Sequence, residues 1–418
     1  MKTARALKSS FAIYRGLERS LYVLFFARII NAIGIFVYPF LTLFLTEKLD
    51  YTAADAGFVL MIVGISFVPG AFIGGKISDT FGRKRILVGA QFLSAMSFLA
   101  CALIQDKQLI PVFVITAEFF MGIVHPTSTA MITDLSKPEN RKAAFSLLYL
   151  GHNIGFAIGP LLAGLMYNSH PYWLFSGDAL TTVISIILIV FFVAESKPSA
   201  QHINESLESD DRGAAALEKA EKGSVLRVLA SRPGLIAFIF LVMMMNFVYA
   251  QMTFSMPLFL NEIYGTEGAL RYGSIMTFNA VIVILGTTFI IGLTKNMKPI
   301  LATMIAAVLY ALGFGGTYFG YIYIIIIITV FVWTVGEILG ATNIGVYIAN
   351  HTPMSHRGRV NSIVPIIMGA GHAVSPFLMG KFIENNSIRM VWPLCALFAI
   401  AASVGLAVLY FMEKRKIG

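Results

Sequence analysis

Twelve apolar runs, near residues 21–45, 56–74, 86–104, 109–133, 143–167, 172–194, 233–260, 272–293, 299–318, 320–349, 360–383 and 390–412, leave this chain few folds to choose from. A helix that crosses a bilayer needs about 20 apolar residues, and each run is long enough. Barrel strands would alternate apolar and polar residues, and stretches such as Ile322 to Val332 do not. With 57% hydrophobic and 13% charged residues, the 418-residue chain carries more apolar side chain than a soluble domain can bury. The pattern predicts an all-α membrane protein with twelve transmembrane helices.

Charge fixes the expected orientation. The run Gly75-Lys-Ile-Ser-Asp-Thr-Phe-Gly-Arg-Lys-Arg85 is a short basic turn between the second and third runs. Placing it in the cytoplasm and alternating sides puts Lys48, Lys107, Arg271, Lys381 and Arg389 outside and Arg28 within a span, with the remaining 25 of 31 Lys and Arg inside. That is the positive-inside bias, and it puts both termini in the cytoplasm of a multi-pass protein of the cell (inner) membrane. The net charge of +9 therefore needs no nucleic acid to explain it. Cys101 and Cys395 each sit inside an apolar run and suggest neither a disulfide nor a metal site, and no cofactor is expected. Gly74-Gly75-Lys76 lacks the spacing of a phosphate-binding loop, so ATP hydrolysis is not expected either.

In the basic turn, Gly75, Ile77, Asp79, Gly82, Arg83 and Lys84 fall on the positions of the loop signature of the major facilitator superfamily, which the sequence resembles; Thr80 departs, where the family usually has a basic residue. The resemblance implies two six-helix bundles with a substrate cavity between them at mid-membrane, and no enzymatic activity. It also implies a cytoplasmic gate at Gly75, Asp79, Gly82, Arg83 and Lys84, whose carboxylate and basic groups hold the halves together through a helix end when the cavity opens outward.

An internal repeat supports two related halves. At an offset of 216 residues Gly57 matches Gly273, Gly70 matches Gly286, Arg141 matches Arg357 and Ser146 matches Ser362. Gly155 likewise matches Gly371, Ala157 Ala373, Pro160 Pro376, Leu162 Leu378 and Gly164 Gly380. Residues 1–194 and 232–418 are read as pseudo-symmetric six-helix halves, and 195–231 as a polar, flexible or partly helical cytoplasmic linker. The second copy of the basic turn has decayed to Leu293-Thr-Lys-Asn-Met-Lys-Pro299.

The fifth run contains Gly151-His-Asn-Ile-Gly155-Phe-Ala-Ile-Gly159-Pro160-Leu-Leu-Ala-Gly164, which resembles the signature of the superfamily's exporters, with Ala163 in place of a glycine. Gly155 and Gly159 allow close helix approach, Gly164 extends the small-residue face, and Pro160 removes a backbone hydrogen bond and permits a bend.

Ionisable residues inside the runs are expensive in lipid and are candidates for the cavity. Glu118 stands where a superfamily signature places an arginine, so the charge is reversed there. His125 is seven residues on, on nearly the same face and about 10 Å nearer the cytoplasm. Arg28 reaches a depth similar to His125, and Asn31 belongs to the same run. His152 and Asn153 precede the bend motif. Glu337, in the repeat partner of the fourth run, is a second candidate proton carrier, three residues off the offset. His372 is as easily a satisfied interhelical donor, and Asp178 reads as interfacial. Together these features point to a proton-coupled secondary transporter exporting small amphipathic or cationic compounds, most like bacterial drug:proton antiporters. The alternatives are a dedicated exporter of one amphiphile, such as a lipid or metal chelator, and an importer of a polar solute. Partners are a small-molecule substrate, protons and the bilayer, and the expected state is a monomer.

Overall fold

A computed structural model describes residues 14–104, 106–137, 139–197, 232–352 and 357–417. The N-terminal arm before residue 14 and linker residues 198–231 lie outside the described residues. Among the described residues the chain is helical, with no strand. The helices are α1 (Arg19–Ile33), α2 (Val37–Lys48), α3 (Ala53–Phe81), α4 (Arg83–Ile104), α5 (Leu109–Asp134), α6 (Arg141–Tyr167) and α7 (Trp173–Phe192). There follow α8 (Pro233–Tyr249), α9 (Ser255–Tyr264), α10 (Gly268–Thr294), α11 (Pro299–Gly316), α12 (Tyr323–Asn350), α13 (Arg357–Asn385) and α14 (Val391–Ile417).

Among the described residues, 11 helical stretches are long and apolar enough to cross a membrane. One of them, Pro233–Thr294, has 62 residues and is too long for a single crossing. It divides at Gly265, whose φ of +53° ends α9 in a conformation that glycine adopts without strain. Twelve crossings result. Apolar side chains such as Phe191 (75% exposed) and Leu285 (73%) face outward, as lipid contact allows.

The contacts form two compact units. Among the described residues the first comprises 14–41, 62–197 and 269–280, and the second 42–61, 232–268 and those from 281 on. In the first, α1 packs on α6 and α7, and α4 packs on α5 and α7. In the second, α8 packs on α13 and α14, and α11 packs on α12 and α14. The two patterns are the same under the 216-residue repeat. The first core gathers Leu21, Leu24, Leu87, Ile123, Leu147 and Ile189. The second buries Trp333 and Trp392 completely, with Phe314 stacked on Trp333 at 5.2 Å.

Close backbone contacts inside each unit account for the repeat glycines. A Cβ on Gly273 would lie 2.3 Å from the Pro160 carbonyl oxygen, and one on Gly57 would lie 2.2 Å from that of Pro376. Likewise a Cβ on Gly164 would meet the Ala269 oxygen at 2.7 Å, and one on Gly380 the Ala53 oxygen at 2.3 Å. Each pair maps onto the other at the repeat offset, and each contact lies within one unit.

The first apolar run, which reads as one helix, is interrupted at 34–36. The seventh is interrupted after Tyr249 by a 3-10 turn at Ala250–Met252, and Gly34 and Ala250 are 216 residues apart. Both breaks sit inside apolar sequence, so hydropathy alone does not reveal them.

Candidate functional site

In the first unit a cavity of about 250 Å³ is lined by side chains from α1, α2, α3, α4, α5, α6 and α7. Its polar lining is Arg28, Asn31, Tyr38, Glu118, His125, His152, Asp178 and Thr182, set among Ile35, Phe67, Phe98, Met121 and Val124. Arg28 and both histidines also line an adjoining cavity of about 250 Å³ that continues past Ser128 and Thr129 to Ile132 and Phe145. That path runs toward the helix ends that carry Asp134 and Arg83.

Sequence reasoning places five of its seven cavity candidates here: Glu118, Arg28, His125, Asn31 and His152. Arg28 is near enough for its charge to act on both His125 and His152. No ion pair joins Arg28 to Glu118 among the described residues. The Asn31 side chain is committed, since its amide donates to Thr182 Oγ1 at 3.0 Å. His125 also meets the Phe67 ring edge-on at 5.9 Å. Asn153 does not line this cavity; its amide donates back to the Tyr149 carbonyl in its own helix at 2.8 Å. Glu337 lies in the second unit on α12, within electrostatic reach of Tyr310. His372 is also in the second unit, its ring 6.5 Å from that of Tyr249.

Asp178, which reads from sequence as interfacial, faces the protein interior. It is 8% exposed, lines the cavity and accepts hydrogen bonds from the backbone N–H groups of Val37 and Phe36 at the start of α2. Its distance from residues 36 and 37 in sequence hides this role. Tyr38 is a second lining residue that sequence reasoning missed, and its phenol feels the Glu118 charge.

The glycines of α6 bring the cavity walls together. A Cβ on Gly155 would meet the Ile29 oxygen at 2.5 Å and one on Gly159 the Ile33 oxygen at 2.5 Å, so the two helices touch backbone to backbone. The helix continues through Pro160, and Gly164 marks its contact with Ala269.

The basic turn forms a compact ionic cluster. Arg83 Nη1 pairs with Asp79 Oδ1 at 2.7 Å, and Arg83 Nε donates to Asp134 Oδ2 at 3.1 Å. Asp79 is 69% exposed and Asp134 only 16%, so Asp134 is the more enclosed partner. Glu195, just beyond α7, accepts from the backbone N–H groups of Arg83 at 2.8 Å and Lys84 at 3.2 Å, capping α4. Gly82 has φ of +103°, and a Cβ there would lie 2.6 Å from Glu195 Oε2. Glycine therefore satisfies both the turn and the approach of the cap. Lys84 Nζ donates to the Val190 carbonyl at 2.8 Å, at the last turn of α7. Gly75 faces open space. Asp134 and Glu195 were not singled out from sequence, although both are acids placed where spans meet a basic turn.

The family model described as Major Facilitator Superfamily matches residues 24–363. The chain belongs to this superfamily. It is thus a multi-pass membrane protein and a transporter of small molecules, not one of a family of enzymes. Among the relatives of this superfamily member, a Na(+), Li(+), K(+)/H(+) antiporter of Planococcus maritimus is 25% identical over 358 residues, 81% of this chain and 84% of the relative. Multidrug resistance protein MdtH of Photorhabdus laumondii is 29% identical over 142 residues, 34% of this chain and 35% of the relative. A solved POT family transporter in complex with thioalcohol conjugated peptide superposes with a TM-score of 0.75 at 14% identity, over 96% of this chain and 99% of that one. That likeness concerns the fold alone.

Proposed function

We propose that this chain is a proton-coupled exporter of small amphipathic or cationic compounds, working by alternating access between its six-helix halves, 1–194 and 232–418. The observation that carries the reading is Glu118, a carboxyl without an ion-pair partner among the described residues, opening on a cavity of mixed polar and apolar lining. A carboxyl in such a place holds or releases its proton according to its contact with water or with a cation. Proton and cationic substrate then compete for one group, and that competition is sufficient for antiport. The names of the antiporter and multidrug relatives support the same direction. In this reading Glu337 is the reserve carrier, and Asp79, Arg83 and Lys84 belong to the cytoplasmic gate. The protein works as a monomer in the bacterial inner membrane with both termini in the cytoplasm.

The test uses everted vesicles with an acidified lumen. Adding a lipophilic cationic dye or drug should dissipate the pH gradient in vesicles carrying the protein. Export that persists undiminished in a protonophore would remove proton coupling.

Arg28 favours a second reading. A cation in the cavity without a carboxylate partner among the described residues suits an anionic solute, whose transport Arg28→Gln would abolish while Glu118→Gln spared it.

A further inference from the structure

The breaks in the first and seventh spans occur at equivalent places, but they are satisfied by different chemistry. Restarting a helix inside the apolar layer leaves backbone N–H groups without intrahelical partners, and protein must supply them. At the second break backbone serves backbone, the N–H groups of Thr253 and Phe254 donating to the Ala250 carbonyl at 3.2 and 3.1 Å, with a neutral side-chain net packed beside them. Gln251 Nε2 donates to Ser375 Oγ at 2.5 Å, and Ser255 Oγ donates to Gln251 Oε1 at 2.6 Å, all three residues being fully buried. At the first break a carboxyl is added, as Asp178 accepts from Val37 and from Phe36, whose N–H also meets the Gly34 carbonyl at 2.6 Å. The repeat position of Asp178 is Leu394. A titratable group is thus not what this kind of break requires, and it stands at the break that opens on the cavity.

The contact is close on every side. A Cβ on Gly34 would lie 1.6 Å from Thr181 Oγ1, and one on Gly177 would lie 2.7 Å from the Phe36 ring, so α7 lies directly against the break. Asp178 and Glu118 line one cavity and repel each other when both are ionised. The other titratable or charged groups facing this space are Arg28 and Tyr38 from the first span, His125 from α5 and His152 from α6, while α4 presents Phe98 and α3 presents Phe67.

We infer that Asp178 is the positioning residue that links the charge state of the cavity to the break in the first span, an inference that rests on reading Glu118 as the proton carrier. While Glu118 is protonated, Asp178 can remain ionised and clamp the start of α2 through charge-assisted hydrogen bonds. When Glu118 gives up its proton to water on the cytoplasmic side, its new negative charge favours a proton on Asp178, which Asp178 takes from water in the shared cavity. A neutral carboxyl holds the two N–H groups less tightly, and the helix bearing Tyr38 is released relative to the one bearing Arg28 and Asn31.

The experiment is hydrogen–deuterium exchange of the full chain in nanodiscs, followed at residues 34–40 from mildly acid to mildly alkaline pH. The proteins compared are wild type, Asp178→Asn, Asp178→Glu and Glu118→Gln. At alkaline pH Asp178→Asn should exchange about tenfold faster than wild type there, the difference between a charged and a neutral acceptor. The ratio should fall toward one on acidification, Asp178→Glu should restore part of the pH dependence, and Glu118→Gln should move its midpoint toward acid. An Asp178→Asn to wild-type ratio that is constant across pH would reduce Asp178 to a structural cap and overturn the inference. Should Asp178→Asn not fold, the Glu118→Gln comparison decides alone, and an unmoved midpoint overturns it. No substrate or gradient enters this measurement, so its failure is distinct from failure of the vesicle experiment.

Discussion

Gly273 lies so close to Pro160 that a single added methyl group would come within 2.3 Å of the proline carbonyl oxygen. The carbonyl belongs to backbone, which cannot swing aside, so Gly273→Ala must separate α10 from α6. Overpacking of this kind costs about 1–3 kcal/mol, against about 1 kcal/mol that alanine gains over glycine in a helix. Gly273→Ala should therefore lower the thermal midpoint of the detergent-solubilised protein, and Gly57→Ala, against Pro376, should do the same. Gly75→Ala, with nothing within 4 Å, should leave it unchanged or raised. Equal midpoints for Gly273→Ala and Gly75→Ala would count against backbone contact as the reason for the repeat glycines.

The Arg83 cluster yields a second prediction. Arg83 is only 12% exposed and touches two carboxylates, of which Asp134 is the better enclosed. A solvated pair such as Asp79–Arg83 contributes under about 1 kcal/mol, while the enclosed partner is screened less. Asp134→Asn should impair transport at least as much as Asp79→Asn, and its defect should depend less on salt. Initial transport rates for the two variants at low and high ionic strength check this; a defect confined to Asp79→Asn would show that Asp134 is incidental.

Glu195 gives a pH dependence with a definite sign. Burial alone would raise its pKa, but hydrogen bonds from the backbone N–H groups of Lys84, Lys197, Arg83 and Ser196 outweigh it and hold the carboxyl below its ordinary value of 4.5. A depressed pKa means the ionised form is the one bound in the folded state. Its contribution is present above the ordinary value and is lost as pH falls through the depressed one. Because the group is mostly exposed, solvent screening limits the effect to about 0.5–1 kcal/mol. Glu195→Gln should lower the thermal midpoint at neutral pH, and the gap to wild type should close in strong acid. A gap that widens on acidification would reverse the assignment.

What could be read from the chain divides by the distance over which each feature acts. The twelve crossings and the cavity face of α5 depend on local apolar length and helical spacing, so Glu118 and His125 emerge from sequence. The 216-residue repeat is legible because Gly57, Gly164, Gly273 and Gly380 are each held by a backbone contact that tolerates no side chain. The break at 34–36 is hidden, since Ile33, Ile35, Phe36 and Val37 continue the apolar run and only Gly34 interrupts it. Its stabilising carboxyl, Asp178, comes from a helix more than a hundred residues away and reads as an isolated acid near a membrane surface. Asp134 and Glu195 were missed for the same reason. Their partner Arg83 lies on the turn that sequence reasoning did identify, and pairing end-of-span acids with that turn by charge would have found both.

The last prediction concerns Glu118 itself. It shares one cavity with Arg28, His125 and His152, and Arg28 is close enough to influence both rings without forming an ion pair to Glu118 among the described residues. Glu118→Gln keeps the size and a hydrogen-bonding oxygen but cannot carry a proton at any ordinary pH. Cation efflux against a gradient should fall by at least about tenfold, since losing a charge-assisted contact of about 1.5–3 kcal/mol corresponds to that factor or more. Substrate-driven proton release should disappear with it, while binding of a neutral amphiphile to the detergent-solubilised protein should change little. Glu118→Asp, one methylene shorter, should retain part of both activities. Parallel fluorimetry of lumenal pH and dye efflux in everted vesicles measures the two together. Normal coupling in Glu118→Gln would transfer the carrier role to Glu337, whose neutralisation should then abolish both signals in the same assay.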